Sequence, residues 1–107
     1  MANKFIILVD ESFTAQERDR ITKHFKGKFG YWHWIGNVWL LTTKNDSYTA
    51  YSIRDEVKSI VPKGTILVLD FNEDAWAAFG QKKKFEWMHK NWSKKSESLL
   101  ELENSDL

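Results

Sequence analysis

The chain has 107 residues, 42% of them hydrophobic, with a single proline; that length supports one core and leaves too little for two. The absence of cysteine excludes disulfides and thiolate metal sites, and fits a reducing cytoplasm. The formal charge of +1 hides an uneven pattern, in which Lys82, Lys83, Lys84, Lys90, Lys94 and Lys95 crowd one segment and Glu97, Glu101, Glu103 and Asp106 follow it.

Lys4 to Asp10 is an apolar run ending in an acid, the pattern of a strand buried on both faces in the middle of a sheet. It is too short for a membrane span and carries no signal-peptide cleavage pattern, so the expectation is a soluble intracellular protein. A helix follows: Thr14 with Glu17 forms a capping box, Ile21 and Phe25 lie one turn apart, and Gly27 supplies the stop. Tyr31 to Thr43 reads as two strands rich in aromatic and β-branched residues. They are joined by the two-residue turn Gly36-Asn37, in which the glycine suits a primed hairpin turn. A regular register then pairs Trp34 with Trp39 and Trp32 with Leu41 on one face, and leaves Tyr31, His33, Ile35, Val38 and Leu40 on the other. Neither face is made for water, so both must be covered.

Ser47 is the candidate cap of a second helix, whose Ala50, Ile53, Val57 and Ile60 recur at spacings of three and four. Pro62 and Gly64 end it, and Thr65 to Phe71 is a second run of strand length. The resulting order, βαββαβ, predicts an α+β, ferredoxin-like sheet in the spatial order 4-1-3-2, with both helices on one face. In that order Asp10 and Asp70 close opposite ends of the sheet. A first domain is expected over 1–80. Residues 81–107 are expected to form a C-terminal extension, a basic helix with Phe85, Met88, His89 and Trp92 on one stripe and then an acidic tail. The extension, from this chain or a partner's, is expected to cover the open sheet face.

The strand ending in Asp10, the hairpin Trp32-His33-Trp34-Ile35 with Val38-Trp39-Leu40-Leu41, the Ile53-Arg54-Asp55 turn and the Ile66 to Asp70 strand followed by Trp76 form a set. Together they resemble the small bacterial proteins of the SinR family. These are similar in turn to the second core CRISPR-associated protein and to VapD-type ribonuclease toxins. The resemblance covers roughly the first three quarters of the chain and implies a cytoplasmic homodimer packed through open sheet faces. It also implies that Asp10 from each copy meets its twin across the two-fold axis and binds one Mg²⁺ or Mn²⁺. The ion would activate water against a phosphodiester, as in a metal-dependent endonuclease acting on RNA or DNA.

Each candidate has a plainer role beside it. Asp10 also suits the strand-to-helix turn beside Ser12, where strand-end acids commonly sit. His33, flanked by apolar neighbours, reads as a hydrogen-bonded core or interface histidine, and His24 and His89 as surface residues on helices. The six tryptophans could stack bases, but the hairpin has no Arg or Lys interleaved to hold phosphates. Trp32, Trp34, Trp39, Leu41 and Trp76 are therefore assigned to a dimer interface. Lys82, Lys83, Lys84 and Lys90, with Lys26 and Lys28, are the candidate nucleic-acid-binding set. The competing functional class is a non-catalytic dimeric adaptor or structural protein of a defence or mobile-element system.

Overall fold

The computed structural model describes residues 3–44, 47–71 and 76–92. Along these the elements run β1 (Asn3–Val9), α1 (Ala15–Phe25), β2 (Gly30–Ile35), β3 (Val38–Thr43), α2 (Ala50–Ile60) and β4 (Ile66–Asp70). A 3₁₀ turn at Lys82–Phe85 then leads into α3 (Glu86–Asn91). The strands form one antiparallel sheet in the order β2-β3-β1-β4. This α+β architecture is compatible with the ferredoxin-like arrangement the sequence suggests. Phe5 pairs with Asp70 and Val9 with Ile66, so Asp10 and Asp70 do lie at opposite ends of the sheet.

The chain divides into two units, Met1–Asn72 and Glu73–Leu107, earlier than the boundary expected at residue 80. Asn72, Glu73 and Asp74, with Lys94, Lys95 and the Leu- and Glu-rich tail, lie outside the described residues. Among the described residues, no helix is long and apolar enough to cross a membrane.

In the first unit, alternate residues of the central strands point into one core. Phe5, Ile7 and Val9 of β1 and Trp39 and Leu41 of β3 pack with Ile21 and Phe25 of α1 and Ile53 and Val57 of α2. β1 alternates buried with half-buried residues, so it is not sealed equally on both faces as its unbroken apolar run suggests. Two capping boxes set the helix starts. Thr14 accepts from Glu17 N–H as expected, but α2 is capped by Thr49 with Ser52, not by Ser47. Ser52 stands three residues after Thr49, where its hydroxyl returns a bond to the cap's N–H.

The hairpin departs from the regular register. Ile35 pairs with Val38 across the two-residue turn, but Trp32 then pairs with Leu40 and Tyr31 with Leu41, so His33 and Trp34 form a β-bulge opposite Trp39. The turn is not of the primed kind either, because neither Gly36 nor Asn37 takes a positive φ. The bulge increases the local strand twist, which a primed turn would otherwise match. It also moves every residue of β2 before it to the opposite face. Trp32 and Leu40 consequently share the face away from the helices with Ile6, Leu8, Leu67 and Leu69, whereas Tyr31 and Trp39 face the helices.

In the second unit, Phe85, Met88 and Trp92 are buried on one stripe, as the spacing predicts. Trp76 lies 5.0 Å from the His89 ring and 6.3 Å from Phe85, and Trp87 lies 6.4 Å from Trp92.

Candidate functional site

Asp10 follows β1 directly, and its carboxylate is the hub of a loop clasp. Oδ1 accepts from the Ser12 N–H at 2.9 Å and from the Ser12 hydroxyl at 2.5 Å, an Asx-type turn. Oδ2 accepts from the Thr65 N–H at 2.7 Å, tying this turn to the start of β4 across fifty-five positions of sequence. The Asp10 backbone N–H also donates to the Thr65 carbonyl at 3.2 Å. Lys63 closes the loop from the other side, its Nζ donating to the Ser12 carbonyl at 2.8 Å and meeting Glu17 Oε1 at 2.9 Å. The Thr65 side chain adds to these bonds, so most of the carboxylate's roughly four lone-pair directions are committed within the loop. Among the described residues, no three His, Cys, Asp or Glu side chains come together as a metal site.

These bonds favour the ionised acid. The Ser12 hydroxyl, then the Ser12 and Thr65 backbone N–H groups, hold Asp10 at about 2 against an ordinary 3.8. The Lys63 ammonium and the Thr14 N–H likewise hold Glu17 at about 2 against 4.5. Each folded-state value lies below its unfolded one. The stability these carboxylates contribute is therefore complete above the ordinary values and is lost as pH falls through them toward about 2. We expect the urea midpoint to drop over that window. In the Asp10→Asn, Glu17→Gln double variant the midpoint should start lower at neutral pH and fall less on acidification. A double variant with the wild-type pH profile would remove both carboxylates from the account.

The histidines are structural in their contacts. His33 stacks on Trp39, ring centroids 4.3 Å apart and nearly parallel at 12°. Its Nε2 lies 2.8 Å from the Gly36 carbonyl and its Nδ1 3.1 Å from the Thr22 hydroxyl. A carbonyl only accepts, so Nε2 carries a proton. His24 is half-buried rather than surface-lying, with Nε2 2.6 Å from Glu56 Oε1, because α1 and α2 lie side by side there. His89 is also half-buried, beside Trp76.

The lysines expected to meet nucleic acid differ in their surroundings. Lys26 is exposed at the end of α1. Lys28 is committed to Glu56 at 2.9 Å, and that hydrogen bond raises the lysine's pKa. Burial pushes Glu56 up, but the hydrogen bonds from Lys28 and His24 outweigh it and leave the carboxyl lowered. In the second unit Lys82, Lys83 and Lys90 are exposed and Lys84 is half-buried. Phe79, just before them, is fully exposed.

The tryptophan set also separates. Trp39 and Leu41 are 0% exposed within a single chain, so they belong to the core behind the helices and cannot form a dimer contact. Pairing with Ile7 and Phe5 of β1 puts them on the helix side, and the bulge in β2 separates Trp32 from them. Trp32 is buried, Trp34 exposed and Trp76 half-buried.

No known protein family, no curated protein and no solved structure matches the chain.

One cluster escapes a reading based on apolar periodicity. Tyr51, Arg54 and Lys58, spaced by three and four on α2, lie along two clefts between α2 and β4. The signal was available in that spacing, which puts an aromatic and two cations on one helical stripe.

Proposed function

We propose that the chain acts as a homodimeric, nucleic-acid-associated protein of the SinR and CRISPR-associated type. The observation that supports this reading best is the partition of residues 79–92. Phe85, Met88 and Trp92 turn inward, leaving Lys82, Lys83 and Lys90 exposed near a fully exposed Phe79. Cations with an interspersed aromatic are what a single-stranded backbone and its bases require. The homodimer draws support from the sheet face away from the helices, where Ile35, Leu67 and Leu69 are 56%, 51% and 43% exposed. An apolar surface of this kind is a place for a partner.

A second, hydrolytic reading rests on Asp10, which stays ionised at physiological pH at the end of β1. In that reading the Asp10 carboxylates of two copies would hold Mg²⁺ or Mn²⁺, and the ion would polarise a water and offset phosphate charge. Asp10 itself contributes a fixed anion, positioned by Ser12 and Thr65. If the protein binds without cutting, the same three bonds make Asp10 a clasp and nothing more.

Both readings are tested on purified protein. Binding of a mixed RNA and DNA pool should weaken about tenfold in the Lys82→Glu, Lys83→Glu variant, with a shallower dependence on salt. Unchanged affinity would end the assignment of this face. Cleavage that needs Mg²⁺ or Mn²⁺, and that Asp10→Asn abolishes while sedimentation still gives a dimer, supports hydrolysis. Cleavage that survives in Asp10→Asn is contamination. A wild-type protein that binds nothing at low salt is the adaptor.

A further inference from the structure

Along one flank of the first unit, α2 and β4 leave two adjoining clefts of about 290 and 360 Å³ that share Arg54 and Ile66. The larger of them alone falls at the lower end of the size range of small-ligand pockets, about 300–1,000 Å³. Their lining is divided by chemistry. Ile66 and Val68 supply an apolar floor, Tyr51 an aromatic ring at one end, and Lys58 and Lys63 cations at the other, with Arg54 between them.

Three details make this seam more than a solvated helix face. Tyr51 is 74% exposed although it sits on the stripe that borders β4, and the Arg54 guanidinium lies 5.6 Å above its ring. A tyrosine and an arginine in this relation form a stacking platform for a planar base. Arg54 is bonded through Nε and Nη2 to one oxygen of Asp55, at 3.1 and 2.9 Å, and both side chains are about half exposed. Such a pair is worth little, and a phosphate offers the fork a better, two-oxygen acceptor. Lys58 makes no ion pair among the described residues. A cation near a helix C-terminus also offsets the last carbonyls, which accounts for Lys58 by itself but not for Tyr51 and Arg54 in the first turns of α2.

We propose that the α2–β4 seam binds a phosphorylated nucleoside, with the base against Tyr51 and the phosphate between Arg54 and Lys58. The inference rests on the nucleic-acid reading above and adds the place where a base and its phosphate lodge. The same chemistry is presented by a free nucleotide and by one link of a single strand.

The test uses the full chain and three probes: a fluorescein-labelled short oligouridine, uridine monophosphate and inorganic phosphate. Fluorescence anisotropy should show the oligouridine bound about tenfold more weakly by Tyr51→Ala, with Tyr51→Phe close to wild type, the loss expected of one stacked base. The Arg54→Gln, Lys58→Gln variant should weaken binding similarly and reduce the slope of log affinity against log salt by about 1.4, the value for two lost phosphate contacts on a single strand. Displacement of the strand by uridine monophosphate assigns the site to single nucleotides. A strand that the nucleotide does not displace assigns it to the polymer.

Phosphate that competes as well as the nucleotide overturns the role of Tyr51. Wild-type affinity in both seam variants, with Lys82→Glu, Lys83→Glu impaired, overturns the seam and leaves the proposed function standing. A wild-type chain that binds no probe overturns both. Circular dichroism melting checks folding. If Tyr51→Ala does not fold, a photo-crosslink from bromouridine-substituted strand decides: an adduct on Tyr51 supports the seam, and adducts confined to residues 82–92 overturn it.

Discussion

Replacing Trp39 with alanine is expected to remove about 3–5 kcal/mol of stability, the range for deleting a large buried aromatic. In a domain of this length the total is about 5–15 kcal/mol, so the variant should sit near the edge of folding. Trp39 is fully buried between the sheet and the helices. Its indole N–H donates to the Thr22 hydroxyl at 2.9 Å, and its ring carries the stacked His33. Thr22 in turn donates to the Arg18 carbonyl at 3.1 Å. One side chain therefore joins β3, the bulge of β2 and the middle of α1. Trp39→Phe keeps an aromatic ring but removes the donor and part of the volume, so a loss of about 1–2 kcal/mol is expected. Urea denaturation followed by circular dichroism measures both. Similar losses for the two variants would mean that the indole N–H matters and the packing does not, contrary to the burial.

Much of this arrangement was legible, and the exceptions have identifiable causes. The two apolar runs, the Thr14 and Glu17 box and the position of the Gly36-Asn37 turn are local signals, and each appears where the residues place it. The register of β2 is different in kind. Both faces of the hairpin are apolar, so hydrophobic alternation could not distinguish a regular ladder from one with a bulge, and the extra residue changed which tryptophans face the helices. The α2 cap was missed because Ser47 and Thr49 both precede the apolar stripe, and the choice falls to Ser52, a weaker box partner than Glu or Gln. At the candidate site, the Asp10 and Ser12 turn could be read from the two residues alone. The Thr65 and Lys63 bonds could not, because they depend on where the end of α2 returns the chain. His24 was misjudged for the same reason, since Glu56 reaches it from another helix.

The second large effect is expected at Gly64, where substitution by alanine should destabilise the chain by about 2–4 kcal/mol. Gly64 has φ +66°, a left-handed conformation that costs other residues about 1–3 kcal/mol. An added methyl would also lie 2.8 Å from the Phe13 ring, 2.9 Å from the Ser12 hydroxyl and 3.1 Å from Asp10 Oδ2. Phe13 is 2% exposed and held in the core, so it cannot swing aside, and the overpacking adds about 1–3 kcal/mol. Gly27 provides the control. Its φ is +84°, but nothing lies within 4 Å of the position its methyl would occupy, so Gly27→Ala should show the backbone cost alone, about 1 kcal/mol. The difference between the two urea midpoints isolates the steric part, which is the resistance of the Asp10 loop to being pushed open. A large difference describes a rigid clasp in which the carboxylate is spent on Ser12 and Thr65. Equal losses would mean that Phe13, Ser12 and Asp10 yield easily, and a carboxylate that yields is one that could turn toward a cation or a phosphate-bound water.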